Sequence, residues 1–105
     1  MSGHDRAMKH FIVQTTYLVP AEKRAAVVGE HRAFLQIGYD QGMLLASGPQ
    51  EPSVGGIIVA RAESREILEK FFLDDPFQLQ GIASYQFTEF LPVKHQPFLK
   101  EWIGA

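Results

Sequence analysis

Met43-Leu44-Leu45-Ala46-Ser47-Gly48-Pro49 and Gly56-Ile57-Ile58-Val59-Ala60-Arg61-Ala62 are two apolar runs separated only by residues 50–55, a connection rich in proline and glycine. The first reads as a short strand, Met43 to Ser47, stopped by Gly48-Pro49; the second reads as a strand that is apolar on both faces. Two strands in direct succession at the centre of the chain set the pattern that the flanking segments complete. Upstream, Lys9 to Leu18 is rich in β-branched and aromatic residues and forms another strand. Pro20 suits the first turn of a helix that runs over 20–42 and ends near Gly42, a natural left-handed cap. Gly29 and Gly38 within it cost roughly 1 kcal/mol each relative to alanine, and both mark close approach to a neighbouring backbone. Downstream, Ser64 is an N-cap for a second helix, with Glu66 near its positive end and Ile67, Leu68, Phe71 and Phe72 as its buried stripe. Asp75-Pro76 ends that helix, because the residue before proline is pushed out of the α region. Ile82 to Phe90 alternates and makes the last strand, with Ala83, Tyr85, Phe87 and Glu89 on one face.

The order is βαββαβ, an α+β ferredoxin-like arrangement: a four-stranded antiparallel sheet with two helices on one face. The other face is then expected to carry several of Phe11, Val13, Tyr17, Ile57, Val59, Tyr85 and Phe87, too much apolar surface to leave wet. A second copy of the same sheet is the economical cover, which predicts a homodimer. Residues 9–93 make one domain. Residues 1–8 are a polar lead-in without the apolar core of a signal peptide, and 94–105 form a tail that packs on the domain or on the partner subunit.

Composition narrows the function. With 10 Lys+Arg against 12 Asp+Glu, the chain offers no electrostatic reason to bind nucleic acid or an anionic membrane. No apolar run approaches the ~20 residues that span a bilayer. The absence of cysteine excludes disulfides, thiolate nucleophiles and sulfur-ligated metals, and a cytoplasmic setting is the default.

His31 is the residue most suggestive of chemistry. Helical spacing places it beside Val27, Val28, Phe34 and Leu35, so a titratable imidazole points inward with apolar neighbours. Such a histidine is more often a satisfied core residue than a catalyst, and a carboxylate on one ring nitrogen would favour the second role by fixing the tautomer. Asp40 lies too far along the same helix, roughly 13 Å at 1.5 Å per residue. Asp74 and Asp75 end the second helix, which packs beside the first, and from there an acid reaches across. Against this, Asp75 before Pro76 is also ordinary turn chemistry, and Ser47 an ordinary strand-end hydroxyl.

Other constellations are weaker. His4, His10, His31 and His95 show no i,i+4 pairing or carboxylate pattern typical of zinc, so no metal site is expected. Gly55-Gly56 precedes a strand rather than a helix and is no phosphate loop. A hydrolase triad through Ser47 lacks the strand–nucleophile–helix elbow. Lys23, Arg24, Glu30 and Arg32 read as a solvated helix face.

The inward His31 followed by Phe34-Leu35, Gly42 to Pro49, the Gly55-Gly56-Ile57-Ile58-Val59 strand, Asp74-Asp75-Pro76-Phe77 and Tyr85 to Phe90 together resemble the YciI-like (YCII-related) family, over roughly residues 9–93. The resemblance implies a ferredoxin-like fold assembling as a dimeric α+β barrel. It also implies a His–Asp active site, carried here by His31 and Asp75, with Ser47 and Pro49 in a motif lining the same cleft; Gly48 lies between them. A relative in chlorinated-aromatic degradation is a dehydrochlorinase and muconolactone isomerase shares the wider fold, so proton transfer is the implied chemistry.

Two readings follow. In the first, the protein is a small lyase or isomerase that needs no cofactor: His31 moves a proton on a small polar or cyclic substrate, Asp75 holds the ring, and the Ser47-Gly48-Pro49 turn binds a substrate oxygen. In the second, it is a non-catalytic dimeric module that binds a small ligand or serves as an accessory subunit. Haem or oxygen chemistry has little support, since no histidine sits in an obviously open coordinating position.

Overall fold

The computed structural model describes residues 7–104. Its strands are β1 (Lys9–Tyr17), β2 (Leu44–Pro49), β3 (Gly55–Ala62) and β4 (Ala83–Phe90), joined in the order β2-β3-β1-β4 with every neighbour antiparallel. Five short helices accompany them: α1 (Ala21–Ala25), α2 (Val28–Asp40), α3 (Arg65–Phe72), α4 (Pro76–Leu79) and α5 (Lys100–Ile103). With α2 and α3 on one face, this is the expected α+β ferredoxin-like layout. No helix among the described residues is long and apolar enough to cross a membrane.

Three boundaries differ from expectation, each for a local reason. The 20–42 helix is broken at Ala26-Val27, where the Val27 N–H turns to the Arg24 carbonyl. Two β-branched valines followed by Gly29 are a weak place to continue a helix. β2 runs through Gly48-Pro49 instead of stopping before them; it is an edge strand, where a missing N–H costs no ladder bond. α3 ends at Phe72, and Asp75 does not close it but caps a separate turn: its side chain accepts the Phe77 N–H, with Pro76 at the first helical position. Ser64 caps α3 as expected, accepting from the Ile67 N–H.

Neither helical glycine is pressed against a neighbouring backbone; at Gly38 the close neighbours are side chains. A Cβ there would come within 2.8 Å of Leu44 and 2.9 Å of Phe71, whereas nothing lies within 4 Å of one at Gly29. Gly42 takes φ 76°, the left-handed cap foreseen for the helix end.

The core lies between α2, α3 and the sheet: Phe11, Val13, Ile58, Ala60 and Ala62 from the strands meet Phe34, Leu35, Leu68 and Phe72. Ile67, assigned to the buried stripe, is exposed instead. The register aligns Val13 with Phe87, Thr15 with Tyr85 and Tyr17 with Ala83, so these residues and Phe11 face the helices rather than the open side. Only Ile57 and Val59 of the residues assigned to the open face lie there, joined by half-buried Ile12. Strand alternation separates two faces but does not say which one the helices cover.

Part of the open face is occupied by the chain's own tail. Trp102 packs under the Arg61 guanidinium, 4.2 Å from its ring centre, and Arg61 donates to the Trp102 carbonyl at 2.8 Å. His10, 5% exposed, meets Trp102 and Phe90 edge-on, and its Nε2–H donates to the Ile103 carbonyl at 3.3 Å. Residues 1–6 of the expected lead-in lie outside the described residues.

Burial, reinforced by the Arg61 charge and opposed by the Ile103 carbonyl, holds the His10 imidazole below its ordinary 6.5. The folded state therefore favours the neutral ring. The stability this contributes is fully present above the unfolded value and is lost as pH falls through the lower folded one. Thermal denaturation followed from about pH 8 down to about pH 5 should show a steeper loss for the native protein than for His10→Gln. Equal slopes would remove His10 as a source of the acid sensitivity.

Candidate active site

The break after α1 fixes where α2 begins, and so puts His31 in its first turn, with its backbone N–H on the Val27 carbonyl. At the neighbouring α4, the capping Asp75 and the helical Phe77 meet it. His31 Nδ1 lies 2.8 Å from Asp75 Oδ1 across 44 residues of sequence, and the imidazole stacks on the Phe77 ring with centroids 3.9 Å apart and planes 3° from parallel. Asp75 is fully buried, while the His31 side chain is 14% exposed.

A fully buried carboxylate needs its lone pairs answered. Asp75 Oδ1 accepts from the Phe77 N–H at 3.0 Å as well as from His31, and Oδ2 accepts from the Tyr85 hydroxyl at 2.5 Å. Burial, followed by the hydrogen bond and charge of Asp75, drives the Tyr85 phenol far above its usual value, so Tyr85 is the donor of that bond. With Oδ1 as acceptor, the imidazole carries its proton on Nδ1 and leaves Nε2 as the basic nitrogen. Among the described residues, Nε2 has no hydrogen-bond partner.

The imidazole borders a cleft of about 270 Å³ between α2, α4 and the β2–β3 edge, whose walls also include Ser47, Gly48, Pro49 and Arg32. The five residues singled out from the sequence therefore converge: four line the cleft, and Asp75 stands behind it, bonded to His31. Ser47 Oγ is 2.7 Å from the Tyr39 hydroxyl, which fixes its position at the cleft wall. Asp74 is exposed and stands apart, and Asp40 is taken up by Gln36 at 2.8 Å on the same helix.

Residues 8–91 match the YCII-related domain. The chain belongs to that family. No curated protein sequence matches this YCII-related chain. Among solved structures it is similar to 5-chloro-2-hydroxyhydroquinone dehydrochlorinase (TftG) from Burkholderia phenoliruptrix, in complex with 2,5-dihydroxybenzoquinone. The identity is 19% and the TM-score 0.67, over 85% of this chain and 97% of that one. A conserved protein of unknown function from Bacteroides thetaiotaomicron is 12% identical, with TM-score 0.54 over 81% of this chain and 97% of that one. The cofactor-independent oxygenase SnoaB from Streptomyces nogalater is 12% identical, with TM-score 0.53 over 87% and 98%. At such identities the likeness is one of fold.

Three residues of the candidate site carry no role in the sequence analysis. Tyr85, a strand residue expected on the open face, is set opposite Thr15 on the helix side by the register. Phe77 closes the Asp74-Asp75-Pro76-Phe77 motif, and its flat contact with His31 arises from tertiary packing that no local pattern encodes. Arg32, assigned to a solvated face, is exposed as expected and also borders the cleft.

Proposed function

We propose that the protein is a small lyase- or isomerase-type enzyme that works without a cofactor and moves a proton on a small polar or cyclic substrate. The observation that carries this reading is an imidazole on the cleft wall whose Nδ1 is bound to a fully buried, thrice-answered carboxylate while Nε2 is left without a partner. In that arrangement Nε2 takes a proton from a substrate carbon, and Asp75 stabilises the imidazolium that results. Charge left on the substrate spreads to an oxygen, where the Ser47 hydroxyl and the turn of Ser47, Gly48 and Pro49 receive it. Return of the proton to a different carbon isomerises the substrate; departure of a leaving group from the neighbouring carbon completes an elimination. The dehydrochlorinase of like fold, seen with a small hydroxylated quinone, is compatible chemistry.

The working assembly in this proposal is a homodimer in the cytoplasm, a second copy resting on the open sheet face beside Ile12, Ile57 and Val59. The test is carbon-bound hydrogen exchange. The native protein in heavy water, incubated with a panel of small cyclic ketones, hydroxylated rings and their halogenated forms, should incorporate deuterium or release halide above the protein-free rate. A panel that stays inert at every member would overturn proton transfer in favour of a binding module.

A further inference from the structure

We propose that Arg32 is the counter-ion of a planar oxyanion, a carboxylate or an ionised enol or phenol, held in the His31 cleft. The idea deepens the proton-transfer reading, and rests on it for the cleft being a ligand site. Among the residues bordering the cleft, Arg32 is the one permanent cation, and no aspartate or glutamate joins it there. Among the described residues, the guanidinium has no ion-pair or hydrogen-bond partner. Asp75 stands behind the imidazole and already has three donors on it.

The rest of the wall fits the same guest. Thr15 is buried, and its Oγ1 accepts the Gly56 N–H at 2.8 Å, which leaves the hydroxyl proton to donate into the cleft. The Ser47–Tyr39 hydroxyl pair shares one bond between two protons, so one proton remains to be offered. Val28, Leu35, Pro49, Ile58 and Phe77 supply apolar surface for a flat body. At about 270 Å³ the space lies just under the ~300–1,000 Å³ of ordinary small-molecule pockets, and it suits a single compact ring.

Removing a proton next to a carbonyl or enol builds negative charge on oxygen, and a cation at the cleft wall lowers the barrier as well as binding the ground state. Arginine's planar fork also matches a two-oxygen anion better than lysine does. Because Arg32 is partly in solvent, added salt weakens the attraction.

Calorimetric titration of the full chain with benzoate and 4-nitrophenolate, against their neutral counterparts benzamide and nitrobenzene, tests the assignment. The anions should bind at least about tenfold more tightly than the neutral compounds, a gap of ~1.4 kcal/mol. Arg32→Gln should erase that gap and Arg32→Lys keep part of it; the side chain is exposed, so both variants fold. Preference for benzoate names a carboxylate as the recognised group, and preference for 4-nitrophenolate names an ionised enol or phenol. Equal affinity for charged and neutral rings, unchanged anion affinity in Arg32→Gln, or no binding of either anion would overturn the inference. Turnover of neutral compounds that needs His31 but ignores Arg32 would sink the anion site and leave proton transfer standing. Anion binding that needs Arg32, in a protein inert to the whole exchange panel, would do the reverse.

Discussion

Asp75→Ala is expected to destabilise the protein by about 3–5 kcal/mol, a large share of the ~5–15 kcal/mol typical of a domain. The substitution strands three donors at once: the Tyr85 hydroxyl, the Phe77 N–H and the His31 Nδ1–H. A buried donor left without an acceptor costs about 1–3 kcal/mol, and loss of the cap on α4 adds about 1 kcal/mol. The terms share one site and do not simply add, which holds the sum below their arithmetic total. A domain of this size loses roughly 4–8 °C of Tm per kcal/mol, so melting should fall by on the order of 20 °C. Asp75→Asn should cost far less, about 1–2 kcal/mol, because its carbonyl still accepts at Oδ1 while its amide can donate to a reversed Tyr85 hydroxyl. Thermal denaturation at fixed protein concentration measures both. A loss under about 1 kcal/mol for Asp75→Ala would mean that the three donors reach water and that the network is not sealed.

Much of this was legible in the chain itself, and the illegible parts have a common cause. Strand and helix order follow from local signals: β-branched runs, the Ser64 cap, Gly42 at a helix end. Those signals act within a few residues, and the structure honours them. The inward setting of His31 is likewise a short-range pattern. By contrast, the choice of Asp75 over Asp74 depends on how α4 starts, a difference of one residue that rotates one acid into the interior and leaves the other in solvent. Strand alternation grouped Tyr85 with Phe87 but gave no hint that Tyr85 would be the donor that holds Asp75, because that bond joins β4 to α4 through tertiary packing. Arg32 shows the same limit from the other side. Its helical position reads as solvent-facing, and only the docking of α2 over the β2–β3 edge makes it part of a cleft wall. Apolar patterning says which side chains leave water; it says little about which polar groups meet when they do.

His31→Asn separates the two roles an inward histidine can play. The asparagine amide nitrogen reaches about as far as Nδ1 and can donate to Asp75, so the buried carboxylate keeps its third donor. What disappears is Nε2, the atom with no partner among the described residues, together with the flat contact on Phe77. Loss of that stacking is worth about 0.5–1.5 kcal/mol, a shift of only several degrees in Tm. Loss of a general base is worth far more to rate, about 10²–10⁴-fold, on any substrate that the exchange panel reveals. Turnover and melting should therefore part company: a collapse of rate with a nearly unchanged transition. His31→Gln sharpens the comparison, since its longer amide sits nearer the place of Nε2 and cannot serve Asp75 in the same pose; it should lose activity equally and stability more. A variant that melts much earlier yet keeps its rate would place the imidazole among the packing residues, and the proton would have to travel by another group.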